Sequence, residues 1–362
     1  MRTGGDGLPL LLALDDELLW IVHCEDPNCG RYARQRVSSG SRPHGRLLIP
    51  SAGNPVIAFV ESRNEPPTVR HCQTPDCSSY EDHRLPGPGP ESWDVVSSGG
   101  DLVFAVVGEQ GRSLALVRCD GGDCTRTTTL PIPSDTAVGR FDMTTSGEEV
   151  WVFTVDDDAQ LHATRCRRIE CFDVPIQGSV PPADFRHVAA ASVAGAPPIA
   201  VVLSSGPAAG EVLTQLSCTA EGCTQSALAS GASVHTNYTN AAVSADGTLA
   251  VAFNDSLTGE LELISCHAGD CANAQPRTIG RGGPLDVHFD QDGYPIVLLS
   301  TETNGKIGLI HCSSSNCDSS FFQFGRSPVG LQMIGIDTAV PCLPGDGLCA
   351  YARMPARHAW RF

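Results

Sequence analysis

Residues 240–278 read NAAVSADGTLAVAFNDSLTGELELISCHAGDCANAQPRT, and they contain one complete structural sentence. A first strand ends at the turn Ala245-Asp246-Gly247, and the apolar run TLAVAF follows it. The polar turn NDSLTG leads to a third strand, ELELIS; a turn bounded by Cys266 and Cys271 leads to a last, polar strand. Asp-Gly turns before apolar runs of strand length mark hairpins, and no 3.6-residue periodicity competes with that reading. The unit is therefore predicted to be four short antiparallel strands.

The same sentence recurs along the chain. Seven cysteine pairs share one spacing: Cys24-Cys29, Cys72-Cys77, Cys119-Cys124, Cys166-Cys171, Cys218-Cys223, Cys266-Cys271 and Cys312-Cys317. Their first members lie 48, 47, 47, 52, 48 and 46 residues apart. A period in the forties signals a solenoid or a propeller, and four strands per period select the propeller. The expected fold is all-β, a single seven-bladed β-propeller across residues 1–362. The repeat units are placed at about 5–38, 45–85, 92–132, 139–176, 185–229, 238–279 and 285–325. Residues 327–362 are read as a closing strand and tail. The chain opens on a segment that reads as a second strand, GDGLPLLLAL, while VGLQMIGIDTAV (329–340) has first-strand character. Pairing of these two segments would close the ring and remove an open edge. The alternative is eight blades with incomplete terminal ones, because GDGLCAYARMPARHAWRF (345–362) resembles further strands.

The cysteines are expected to be disulfide clips across the turn between the third and outermost strands. Facing residues of a hairpin lie within disulfide reach. Six of the seven turns carry the turn formers Gly, Pro, Asn or Ser, and RRIE (167–170) is the exception. Cys342-Cys349 would be an eighth clip. In this reading each clip covers the least buried part of its blade. Zinc is excluded: His23, His71 and His311 each precede a cysteine, and adjacent strand residues point to opposite faces. Sixteen cysteines, all paired by proximity, imply an oxidising compartment: extracellular, cell-surface or periplasmic. No signal peptide is recognised in the chain, LPLLLAL (8–14) being read as a strand.

The unit HC-x4-C after DG-x-P and an apolar run resembles repeats of secreted bacterial proteins predicted to form β-propellers. GNPVIAFVESRNEPPTVRHCQTPDC and DGYPIVLLSTETNGKIGLIHCSSSNC carry the likeness. It implies secretion and a propeller, and transfers no catalytic residues.

The net charge of −17 argues against nucleic acid, and no apolar run is long enough to span a bilayer. Partners are expected to be a glycan or a protein, with the chain part of a larger surface protein or assembly. Ligands are expected on the face of the fourth-to-first loops, where the long connections 84–94, 175–187 and 230–240 lie. Arginines recur near the expected starts of innermost strands: Arg46, Arg140, Arg186, Arg281 and Arg326. Facing the axis, they would form a cationic mouth for an anionic ligand or an acidic glycan. Pairing with Asp94, Asp142 and Asp286 is the plainer alternative. Trp93, Asp94, His187, Asn240 and Asp286 complete the ligand-binding candidates, Trp93 as a long-loop aromatic.

Acidic turns at Asp15/Asp16, Glu61, Asp156–Asp158 and Asp255 show no spacing that selects a glycosidase pair or a calcium site. Asn237 and Asn254 head glycosylation sequons. Nucleophile-elbow, zinc-protease and phosphate-loop motifs are all missing, and no cofactor is implied. The functional expectation is an extracellular binding or adhesion module. A propeller-fold glycan hydrolase and an assembly component are its rivals.

Overall fold

The structure, a computed structural model, describes residues 2–15, 18–26, 31–38, 44–49, 53–62, 65–90, 92–108, 113–121, 124–132, 138–156, 158–177, 184–192, 196–206, 210–230, 234–255, 257–267, 271, 274–290, 292–301, 306–312, 314, 317, 319–327 and 330–337. They form seven antiparallel blades, each of four consecutive strands, arranged as a β-propeller. The innermost strands are Arg2–Thr3, His44–Leu48, Ser92–Ser98, Val138–Ser146, Asp184–Ala191, Val234–Val243 and Gly283–Phe289. Blades 5 and 7 each carry one extra outer strand, Ile176–Gln177 and Gly330–Asp337.

Alternation explains why each second strand reads as a continuous apolar run. In Asp101–Val107, Leu102 and Phe104 pack into a core shared with blade 2. Val103, Ala105 and Val107 pack into a core shared with blade 4. Successive strand residues point to opposite faces, and both faces of a blade are covered, so these strands are apolar along most of their length, and polar residues such as Asp156 and Asn254 come towards their ends. Polar side chains are relegated to the outermost strands, as in Tyr80–Arg84, which is largely exposed.

Seven hydrophobic clusters fill the seven gaps between neighbouring blades. The last gap closes the ring: Leu11, Ala13, Val22 and Cys24 of blade 1 meet Ile296, Leu298 and Leu309 of blade 7. Closure is therefore by face packing, and among the described residues the expected pairing of the two terminal segments does not occur. Arg2–Thr3 takes the innermost place of blade 1, pairing with Leu10 and Pro9. Gly330–Asp337 pairs instead with the outer strand Ser319–Ser327. A strand with its own hairpin neighbour so close in sequence closes a shorter loop than one crossing the ring. The tail 338–362, with Cys342 and Cys349, lies outside the described residues.

Six clips are described, each linking cysteines five apart in sequence, with Cα atoms 4.0 to 5.2 Å apart. Cys24 is disulfide-bonded, and Cys29 lies outside the described residues. Such bonds belong to an oxidising environment. The clips differ from expectation in two ways. Their sulfurs are not peripheral: Cys72, Cys77, Cys119, Cys124, Cys166, Cys218, Cys223, Cys271, Cys312 and Cys317 are all buried within the inter-blade cores. They also fall into distinct geometries. Cys166 faces Cys171, and Cys218 faces Cys223, across tight ladder-paired hairpins. In three other blades pairing begins further out, at Cys72 with Tyr80, Cys119 with Thr127 and Cys312 with Ser319. There the second cysteine sits inside a wider loop in the left-handed region, with φ of 58° at Cys77, 55° at Cys124 and 61° at Cys317. Asp76 supports this turn by accepting from the Ser78 N–H and hydroxyl, an Asx-type contact that suits left-handed backbone.

The HC histidines also have a structural task. His23 bonds Asp6 at 2.8 Å, and His311 bonds Asp290 at 2.7 Å. Each pair ties the Asp of a first-to-second turn to the end of the third strand.

Candidate functional site

Around the propeller axis the innermost strands bring Arg2, Arg46, Asp94, Asp142, Ala190, Asn240 and Asp286 to one cavity. Arg46, Asp94, Asp142, Asn240 and Asp286 share one register position, opposite Ala58, Ala105, Phe153, Ala252 and Leu298 of the second strands, whereas Ala190, opposite Ala200, is one residue off it and Arg2, opposite Leu10, is two. Four of these strands carry a β-bulge at their entry, before Arg140, His187, Thr239 and Asp286. Bulges bend a strand and re-aim its side chains, which suits the rim of a closed ring.

The seven residues form the upper wall of an axial cavity of about 770 Å³, at its end nearer the fourth-to-first loops. Below them the lining is mixed: Leu48, Val96 and Ala191 stand beside Ser97, Thr144, Thr145, Ser192 and His288. Blades 5 and 6 give this wall mostly small side chains, Ala189 to Ala191 and Ser192 with Ala241 and Ala242, beside Asn240 and Val243.

The ring is also a belt of blade-to-blade contacts. Arg46 Nε of blade 2 donates to Asp94 Oδ1 of blade 3 at 2.7 Å. Asp94 also stands close enough to Asp142 of blade 4 to perturb its carboxyl. Asp142 Oδ2 accepts the Ala190 N–H of blade 5 at 2.7 Å, and its Oδ1 accepts the Met143 N–H at 2.8 Å. Asn240 of blade 6 donates to the Pro284 carbonyl of blade 7 at 3.1 Å, and Asp286 lies 3.8 Å from Arg2 of blade 1. One level down, the Thr144 and Ser192 hydroxyls bond at 2.7 Å.

These contacts set the charges. Burial first, and then the Asp94 charge and hydrogen bond, push the Asp142 carboxyl well above the usual range, against the Ala190 N–H and Arg46. The Asp94 charge, outweighing burial, raises the Arg46 guanidinium still further. At Asp286 burial would raise the carboxyl, but neighbouring positive charge, Arg2 included, leaves it lowered. Burial, and after it the Arg2 charge, holds the His288 imidazole down at about 4, so it lines the cavity uncharged.

The candidates named from sequence divide clearly. Arg46, Asp94, Asn240 and Asp286 meet at the cavity. Arg140 and Arg281 are exposed and lie off its wall, and Arg281 stands on the outermost strand of blade 6. Arg326 stands on an outer strand of blade 7, and the side chains of Arg326, Arg186 and His187 lie outside the described residues. The expected all-arginine mouth is instead a mixed ring of two arginines, three aspartates and an asparagine. Trp93 is no loop residue: its strand begins at Ser92, and alternation turns the indole into the core between blades 2 and 3, against Phe104. Sequence reasoning passes over Arg2 and reads Asp142 only as a partner for arginine, although one repeat length added to Asp94 lands on Asp142.

The acidic turns have local duties. Asp156 is buried, accepting from the Gln160 N–H at 2.8 Å and bonding His162 at 2.9 Å. Asp255 caps its own turn through the Leu257 N–H. Asn254 is buried, with its amide on the Gly282 carbonyl at 2.8 Å, and that sequon cannot be reached in the folded protein. No group of three or more metal-ligating side chains occurs among the described residues. No helix among them is long and apolar enough to cross a membrane.

No protein-family model matches the sequence, and no curated protein is significantly similar to it. The fold is similar to solved propellers. A protein from Lactobacillus plantarum superposes with a TM-score of 0.55 at 13% identity, covering 88% of this chain and 94% of that one. A prolyl endopeptidase gives 0.56 at 10%, covering 90% of this chain and 53% of the enzyme. The dihydro-heme d1 dehydrogenase NirN gives 0.54 at 11%, covering 94% and 77%. At such identities the likeness is one of fold, which does not carry function.

Proposed function

We propose that the protein is an extracellular binding module whose ligand enters the axial cavity from the loop face, and that the ligand is a glycan. The observation that carries this reading is the convergence of polar side chains from separate blades on one cavity with a small-residue wall. Concave sites with a few convergent polar groups on an apolar lining are where small ligands bind. Carboxylates accept from sugar hydroxyls, while Arg46 and Asn240 offer donors. An anionic ligand fits less well, because Arg46 is already engaged by Asp94 and the ring presents three aspartates.

The hydrolase alternative draws support from a raised acid in a cavity. Its geometry opposes it: each oxygen of Asp142 already accepts a backbone N–H, from Ala190 and Met143, so the carboxyl is held in place rather than turned towards a leaving group as a glycosidase acid must be.

A glycan array probed with the oxidised protein tests the reading, followed by calorimetry on hits with Asn240→Ala and Ala190→Leu. Both substitutions should weaken a hit at least about tenfold, Leu by adding bulk to the small-residue wall. Hits that bind both variants as tightly as the original would place the ligand elsewhere.

A further inference from the structure

The innermost strand of blade 1 is the shortest of the seven, and it leaves part of its neighbour's edge unpaired. We propose that residues 348–354 of the C-terminal tail, LCAYARM, enter the axial cavity and complete blade 1 as an innermost strand along Leu12 and Leu14.

The unpaired edge shows in the register. In blade 2 every residue of Val56–Val60 has a partner on the innermost strand, and in blade 3 every residue of Asp101–Val107 has one. The second strand of blade 1, Pro9–Asp15, pairs inward at Pro9 and Leu10, and residues 11–15 have no inner partner among the described residues. Leu10 and Val56 hold equivalent places, opposite His23 and His71, which makes Leu12 the counterpart of Ala58. Ala58 faces Arg46, whereas Arg2, the inner residue of blade 1 on the cavity wall, stops two residues short of Leu12.

Backbone direction puts this edge on the cavity. The Leu8 carbonyl accepts the Gly4 N–H at 2.8 Å, so it points to the first-strand side. Backbone groups alternate between the two edges of a strand, so Leu10, Leu12 and Leu14 point there as well. Leu10 meets Arg2, and the N–H and C=O of Leu12 and Leu14 are aimed at the axis. Leu12 and Ala13 stand on the cavity wall, and Leu11 and Ala13 are buried. Enclosed backbone groups are nearly always paired, and an added strand pairs them at the repeat they already have.

The tail lies within reach. Gly330–Asp337 is the last described strand, on the outer side of blade 7, and blade 7 packs against blade 1. Residues 338–347 join it to the proposed strand; extended, those ten residues span about 33 Å, against about 19 Å for the four strand spacings across blade 7. The stretch 348–354 follows the turn Asp346-Gly347 and is free of proline up to Pro355, the signal that introduces strands elsewhere in the chain. The tail also carries Arg353, Arg357 and Arg361 against Asp346 alone, in a chain of net charge −17, so the rest of the molecule attracts it. The strand would lie on the blade 1 side of the cavity, apart from the small-residue wall of blades 5 and 6, so glycan binding at that wall does not depend on it.

The test is amide hydrogen exchange, read residue by residue by NMR. It compares the full oxidised chain with a full-length variant carrying Tyr351→Pro and Ala352→Pro, since adjacent prolines remove a donor from either edge of the strand. In the original chain the Leu12 and Leu14 amides should exchange as slowly as those of Ala58 and Ala105. In the variant they should exchange at least about tenfold faster, with Ala58 and Ala105 unchanged. Free exchange at Leu12 and Leu14 in the original chain would overturn the proposal without recourse to any variant, and so would equal protection in the variant. Protection that weakens on dilution would assign the strand to a second copy of the chain and overturn the tail assignment.

Discussion

Replacing the second cysteine of a clip by glycine rather than alanine should have opposite effects in the two clip geometries. The perturbations are Cys119→Ala with Cys124→Ala or Cys124→Gly, and Cys218→Ala with Cys223→Ala or Cys223→Gly. Both clips close the same interval, five residues apart, so the chain-entropy cost of losing either is about 2 kcal/mol. Both also bury their sulfurs in the inter-blade cores, Cys119 and Cys218 completely. Deleting two buried sulfurs adds roughly 1 kcal/mol each, on the scale of a buried methylene. Either double-alanine variant should therefore lose about 4 kcal/mol. The geometries diverge at the next step. Cys124 has a φ of 55°, where any side chain costs about 1–2 kcal/mol, so glycine there should recover roughly 1 kcal/mol over alanine. Cys223 is a ladder-paired strand residue opposite Cys218, and glycine there should lose a further ~0.5–1 kcal/mol. Urea unfolding followed by tryptophan fluorescence reads both differences as shifts in midpoint at constant slope. Glycine shifting both clips in the same direction would refute the distinction between them.

The axial ring and its neighbours give further expectations. Asp142 has a raised carboxyl, so its folded form holds a proton that the unfolded chain has already released. Its contribution to stability therefore falls as pH rises from the usual carboxylate range through its own titration, at ~1.4 kcal/mol for each pH unit crossed between the two. Asp142→Asn should accordingly be more stable than the original at neutral pH and flatten that fall, measured as Tm against pH. His288 works in the opposite direction: its imidazole titrates at about 4 instead of 6.5, so stability is complete above 6.5 and falls by at most ~3 kcal/mol as pH drops to 4. His288→Gln should remove that acid-side loss. A Cβ at Gly45 would come within 2.7 Å of Leu12 and 2.9 Å of Leu19, so Gly45→Val should cost about 1–3 kcal/mol by prising blade 1 from blade 2, read as a lower urea midpoint.

The blade is legible in the sequence because every second strand is buried on both faces, so alternation cannot be hidden by polar positions. Asp101–Val107 announces itself as DLVFAVV without any neighbour being known. Ring closure is harder to read, since a four-stranded first blade arises whichever segment supplies its innermost strand, and only the partner of Gly330–Asp337 decides. The clip geometries do leave a signal. An Asp or Asn precedes the second cysteine in five of the pairs, while Glu170 and Gly222 stand there in the two tight hairpins. RRIE stands out as a loop because it forms one of those hairpins. At the axis, attention to arginine alone misses Asp142 as a site residue, because the ring keeps its position from blade to blade and changes its residue type. Trp93 and Asp94 show the limit of loop assignments: a strand start displaced by one or two residues decides which of them meets the core.

The central claim is that ligand binding occurs in the axial cavity, and Met143 offers a direct reporter. It is one of four methionines, it lines the cavity immediately after Asp142, and it is buried. With methionine methyl groups labelled by carbon-13, a saturating glycan hit should shift the Met143 methyl resonance, assigned by Met143→Leu, and leave the other methionines in place. A hit that saturates the protein with the Met143 signal unmoved would contradict the account.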